Sequence, residues 1–110
     1  MPKFLILYAS EKSAEEQMKN ASPEDMKKGM EPWIAWYKSQ GSAIVDQGNP
    51  LGKPFALNKK GVTKAHTHLI TGYSIVEAKD IETVKVMAID HPHLNQPKTS
   101  IEILQIIPMM

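Results

Sequence analysis

Cysteine and arginine are both missing from this 110-residue chain. Without cysteine there is no disulfide framework, no thiolate nucleophile and no cysteine-ligated zinc or iron–sulfur site, a composition that suits a reducing cytosol. Without arginine the thirteen basic residues are all lysine, and against twelve acidic residues they leave a net charge of +1. No basic run forms and aromatics are few, so nucleic acid is not the expected partner. No apolar run approaches the roughly 20 residues of a membrane span, and Met1-Pro2-Lys3 leads straight into a strand pattern rather than a signal segment. A soluble, cytoplasmic protein without membrane contact is expected. A GxSxG elbow, a phosphate loop, a dinucleotide-binding glycine pattern and HExxH are also absent, so no nucleotide, phosphate or classical hydrolase chemistry is read here and no cofactor is expected. The length is that of one domain, residues 1–110, large enough for a core but too small to cover both faces of a sheet easily.

What is present is organised around residues 72–94, GYSIVEAKDIETVKVMAIDHPHL. Residues 73–78 are rich in β-branched and aromatic side chains and predict a buried strand, with Gly72 as the turn from which it leaves. Asp80 can cap a helix whose Ile81, Val84, Met87 and Ala88 recur on one stripe. Pro92 disfavours the α conformation for His91, so that helix should stop near Asp90 and leave His91 and His93 on the loop beyond. The free carbonyls at a helix end favour a cationic imidazole unless desolvation outweighs them.

Before this stretch, residues 3–9 (KFLILYA) form the near-continuous apolar run expected of a central strand covered on both faces. Residues 10–20 read as a linker or a marginal solvated helix. Ser22-Pro23-Glu24-Asp25 is a helix start and Gly41 a stop, which predicts one helix over residues 23–40 with Met26, Met30, Ile34 and Tyr37 inward and, because of Pro32, a kink or break near residues 28–30. Residues 42–48 predict a second strand carrying Asp46, residues 49–54 a turn, and residues 55–58 and 62–68 a hairpin about the tip 58–61. Residues 100–107 are again strand-like and apolar on both faces. The order β, α, β, hairpin, β, α, β predicts a ferredoxin-like α+β sandwich with helices on one sheet face. The other face then needs an apolar cover, most simply a second copy of the chain, and a homodimer is expected.

KFLILY, WIAWYKSQG followed by VDQGNPLG, GYSIVEA, and HPHL before SIEILQIIP together resemble the YCII-related (DGPF-type) family over nearly the whole chain. The resemblance implies a ferredoxin-like fold assembled as a dimeric α+β barrel, with relatives that include muconolactone isomerase-like enzymes and small monooxygenases. It implies no settled activity; a His–Asp pair has been proposed as the active site of some members. Two departures stand out. Residues 63–69 take the place of the DGPF motif, and residues 33–36 hold tryptophans where some members carry a histidine.

His91 and His93 are the first candidates for a catalytic site, since the family's second helix ends beside the cleft between helices and sheet and imidazole moves protons near neutral pH. The plainer reading has His91 capping helix carbonyls and His93 packing structurally. Asp46 is the candidate proton-accepting partner, or else a solvated strand residue. His66 and His68, two apart beside His91 and His93, suggest a metal, but no further ligand set shows metal spacing and none is expected. Trp33, Trp36 and Tyr37 can floor a pocket for a flat apolar molecule, with Tyr8 and Tyr73 orienting it; aromatics at helical spacing are otherwise plain core. Three functions fit: a small cofactor-independent isomerase, lyase or monooxygenase with a proton-transferring histidine; a non-catalytic small-molecule-binding homodimer; or a structural interaction protein.

Overall fold

The computed structural model describes residues 1–63 and 69–109 and has a mixed α+β fold. In chain order the elements are β1 (Lys3–Ser10), α1 (Ala14–Met18), α2 (Pro23–Gln40), β2 (Ile44–Asp46), β3 (Ala56–Asn58), β4 (Gly61–Thr63), β5 (Leu69–Glu77), α3 (Ile81–Ile89) and β6 (Thr99–Ile106). Four of the strands form an antiparallel sheet in the order β2-β5-β1-β6, and β3 and β4 pair apart from it as a hairpin. Among the described residues no helix is long and apolar enough to cross a membrane.

Successive side chains of β1 point to opposite sheet faces, and the two faces differ. Phe4, Ile6 and Tyr8 are fully buried and join Val76 of β5, Trp36 and Tyr37 of α2, and Val84 of α3 in one core. Both longer helices therefore cover the same face. Leu5 and Leu7 point the other way and are half-buried, beside Ile75 and Tyr73 of β5 and Leu104 and Glu102 of β6. The apolar run over residues 3–9 does mark the central strand, but within one chain only one face of it is covered.

Local chemistry sets the helix boundaries. Ser22 and Asp25 form a reciprocal capping box at the start of α2, Pro23 occupies its first turn, and Gly41 ends it at φ 59°. The helix is assigned without a break through Pro32. Its inward residues are Trp33, Trp36 and Tyr37, whereas Met26, Met30 and Ile34 are exposed, which corrects the expected stripe. In α3, Val84 and Ala88 are buried and Asp80 caps the first turn through Thr83.

Two glycines pack against neighbouring backbone, and close approach requires glycine at the second, Gly48. Gly72 lies inside β5 rather than at its start: a side chain there would meet the Asn49 carbonyl and the Tyr8 ring, both at 3.4 Å, where Pro50 bridges to the strand. Gly48 has φ 82°, and a Cβ there would fall 1.6 Å from the Tyr73 carbonyl oxygen. The second strand is shorter than expected because a 3-10 turn, Gly41–Ala43, precedes it. The hairpin exposes Phe55, Leu57 and Val62, and His66 and His68 lie outside the described residues.

Candidate functional site

Pro92 governs the local backbone at the end of α3. His91 is extended, with φ −66° and ψ 135°, as a residue before proline prefers, and it caps a 3-10 turn over Pro92–Asn95 rather than sitting on an open loop. Its imidazole Nδ1 accepts the backbone N–H of His93 at 2.9 Å. Capping thus occurs, but of the amides of the following turn and not of the carbonyls of α3. That bond occupies the Nδ1 lone pair, so the neutral ring carries its proton on Nε2.

The ring is pressed into a box of aromatics. Its centroid lies 4.7 Å from that of Tyr8, 4.4 Å from Trp33 and 4.5 Å from Trp36. His91 is 1% exposed, and its Nε2 has no hydrogen-bond partner. The Trp33 plane stands at 88° to it; an indole face is a weak acceptor that replaces only part of a hydrogen bond. A buried donor left unpaired costs about 1–3 kcal/mol. Burial, and next the neighbouring His93, push the His91 pKa down to about 3. Desolvation therefore outweighs the helix-end carbonyls, and the imidazole is neutral rather than cationic.

The walls are fixed by further bonds. Trp36 donates its indole N–H to the Met87 carbonyl at 3.0 Å, tying α2 to α3. His93 donates from Nε2 to the Ala9 carbonyl at 2.8 Å, tying the 3-10 turn to β1. The Tyr8 hydroxyl bonds Ser74 at 2.8 Å, and Ser74 and Tyr37 both donate to the Gln47 carbonyl, at 2.8 and 2.9 Å. Burial raises the Tyr8 pKa, so this hydroxyl stays protonated. Trp33 alone among the three box aromatics is only half-buried.

Of the residues singled out in the sequence, Tyr8, Trp33, Trp36, His91 and His93 come together; Asp46 and Tyr73 do not join them. Asp46 is exposed on the edge strand β2, and its Oδ1 accepts the Gly48 N–H at 2.8 Å. Tyr73 pairs with Leu7 and so lies on the opposite sheet face from Tyr8. The expected cleft bordered by Asp46 and Tyr73 is corrected to an aromatic box beneath α2. Sequence reasoning missed Ser74, a fully buried polar residue. Its signal was parity: it stands two before Val76, on the core-facing side of an otherwise apolar strand.

Among the described residues no three His, Cys, Asp or Glu side chains come together to hold a metal. A depression at the ends of β1 and β6 is open, and its Lys98 and Glu11 already pair at 3.5 Å. No family model matches the sequence, and a search of curated proteins finds no similar one.

Proposed function

We propose that the chain is a small-molecule-binding protein, acting as a homodimer, whose ligand occupies the box of Tyr8, Trp33, Trp36 and His91. One observation carries this reading: a neutral imidazole N–H, fully buried among aromatic rings, has no acceptor. Buried polar groups are nearly always satisfied, so an unpaired one beside flat apolar surfaces is what a site for a flat, acceptor-bearing molecule looks like when empty of protein partners. Trp33 is the wall that yields. It is only half-buried, so a ligand would enter on its side, at the cost of its ring contacts with Tyr8 and His91.

A histidine that takes up a proton fits this geometry poorly. Nδ1 is engaged by a backbone amide, Nε2 already carries hydrogen, and Asp46 lies elsewhere. An isomerase-, lyase- or monooxygenase-like activity would have to use His91 as an electrophile that polarises a carbonyl, which a neutral imidazole can do.

The homodimer rests on the open sheet face, where Leu5, Leu7, Tyr73, Ile75, Leu104 and Ile106 are half-buried or exposed in one chain. The strand order β2-β5-β1-β6, with both longer helices on one face, supports a ferredoxin-like sandwich and, with a second copy on the open face, the dimeric α+β barrel that the YCII-related resemblance implies. A thermal-shift screen of small planar compounds, read together with tryptophan fluorescence, tests the binding reading. Hits should raise Tm and perturb the emission of Trp33 and Trp36, the chain's two tryptophans. A screen in which no compound does both counts against it.

A further inference from the structure

Resting on the homodimer reading, we infer that the hairpin of β3 and β4 is an arm that docks on a second copy of this chain, along the open edge of that copy's β6. The hairpin stands off its own body. It pairs with no strand of the main sheet, and the radius of gyration, 15.2 Å, exceeds the roughly 13 Å of a compact chain of this size. Leu57 and Val62 are cross-strand partners and so share a face, and Phe55 stands two residues before Leu57. Phe55 is 86% exposed, Leu57 75% and Val62 76%. A two-stranded hairpin has little stability of its own in water, so an apolar face on one calls for cover.

The main sheet ends unequally. On one side β2 is a strand of three residues with an irregular register, too short to act as a template. On the other side β6 runs for eight residues with no proline, no lysine and a single charge, Glu102, and no strand among the described residues pairs with its outer side. Such an edge invites another strand. The chain's own hairpin is rooted between β2 and β5, and two strand spacings, roughly 10 Å, separate β5 from β6. The arm that fits this edge therefore comes from another copy.

Charge selects the same partner. Residues 47–76, which contain the hairpin, hold four of the chain's thirteen lysines and none of its twelve acidic residues. Lys59 and Lys60 occupy the tip, where Asn58 Oδ1 accepts the Lys60 N–H at 2.8 Å and Gly61 turns at φ 124°. Two arms repel each other, while the acid-bearing remainder of a second copy attracts an arm. On β6 the acid is Glu102, which has no ion pair among the described residues, and Leu104 and Ile106 on the same face of that strand are exposed. In a two-fold dimer each copy gives one arm and receives one, so the contact closes. An anionic lipid surface would also attract the lysines, but it would leave the β6 edge unpaired.

Sedimentation equilibrium of the intact chain and its variants tests the arm through the dimer Kd. Leu57→Ser/Val62→Ser is expected to raise Kd at least about tenfold, because each change acts twice in the dimer. Lys59→Glu/Lys60→Glu should raise it about fivefold at low salt, and adding Glu102→Lys to that variant should restore dimerisation, which a hairpin serving only its own chain would not show. Should the serine variant fail to fold, the charge reversal and its rescue decide. An unaltered chain that dimerises with the same Kd as both hairpin variants overturns the inference and leaves the open-face homodimer standing. A charge reversal that Glu102→Lys does not rescue overturns the placement on β6. A chain that stays monomeric up to about 0.1 mM overturns the inference and the homodimer reading together. Cosedimentation with phosphatidylserine vesicles that is lost in Lys59→Glu/Lys60→Glu assigns the arm to a lipid surface and also overturns the inference.

Discussion

Tyr8 and Leu7 are neighbours in β1 and look out of opposite faces of the sheet. Tyr8 is 1% exposed, stacked on His91 and bonded to Ser74; Leu7 is half-buried, with Tyr73 and Glu102 for neighbours across the strands. The strand sequence is apolar on both sides, yet the chain holds helical cover for one. Among the described residues the covered face pairs its buried side-chain polar atoms except Nε2 of His91, whereas the open face presents Leu5, Leu7, Ile75 and Leu104 beside Tyr73 and Glu102. Buried polar groups are thus concentrated on one side and uncovered apolar surface on the other.

The largest separation between the faces is expected from truncation. Ile6→Ala should cost about 2–5 kcal/mol, since a fully buried branched side chain leaves a cavity in the core, while Leu5→Ala should cost less than about 1 kcal/mol when protein is dilute. Chemical denaturation at low and high protein concentration checks this. Equal costs at both positions under dilute conditions would erase the contrast, and a Leu5→Ala penalty that grows with concentration sharpens it. Gly48→Ala comes next, at about 1–3 kcal/mol, because it combines a positive φ with a clash on the Tyr73 carbonyl and so loosens β2 from β5.

Acid provides a smaller perturbation, whose His91 component lies on the covered face. The folded pKa of His91, about 3, lies below its unfolded value near 6.5. The unfolded chain therefore binds the extra proton first, so the stability associated with a neutral His91 is complete above roughly pH 6.5 and is lost as pH falls toward 3. After allowance for partial screening this is about 1–2 kcal/mol at pH 4.5, measured as the difference between the unaltered chain and His91→Phe. Smallest of all, Asp46→Ala should change stability by no more than about 1 kcal/mol, through loss of the Gly48 N–H bond, and should leave ligand affinity unchanged. A large loss of binding in Asp46→Ala would return that residue to the site.

How much of this was legible in the sequence divides along the range of the interactions. The bounds of α2 follow from Ser22, Pro23 and Gly41, and the end of α3 from Pro92, because caps and proline sterics act within a turn. Which face of α2 turns inward was not legible. Met26, Met30 and Ile34 have the right spacing, but Trp33, Trp36 and Tyr37 are the residues that meet Phe4, Ile6 and Tyr8, and that choice depends on a sheet assembled from distant segments. That one sheet face lacks helical cover was legible from the element order; which residues of the apolar strands stand on it was not, since an apolar strand reads alike whether its cover is its own helix or another surface. In the site, the pairing of His91 with His93 was local. Its neutrality was not, because three rings from β1 and α2 supply the desolvation. Tyr73 and Ser74 illustrate the register problem: one residue of shift exchanges the face that each occupies.

The most direct test is a long-range 1H–15N NMR titration of the imidazoles between pH 4 and 8. His91 is expected to show the Nε2–H tautomer throughout, with no titration in that range. A His91 that titrates near pH 6.5, or that carries its proton on Nδ1, would contradict the neutral, donor-only imidazole at the centre of the aromatic box.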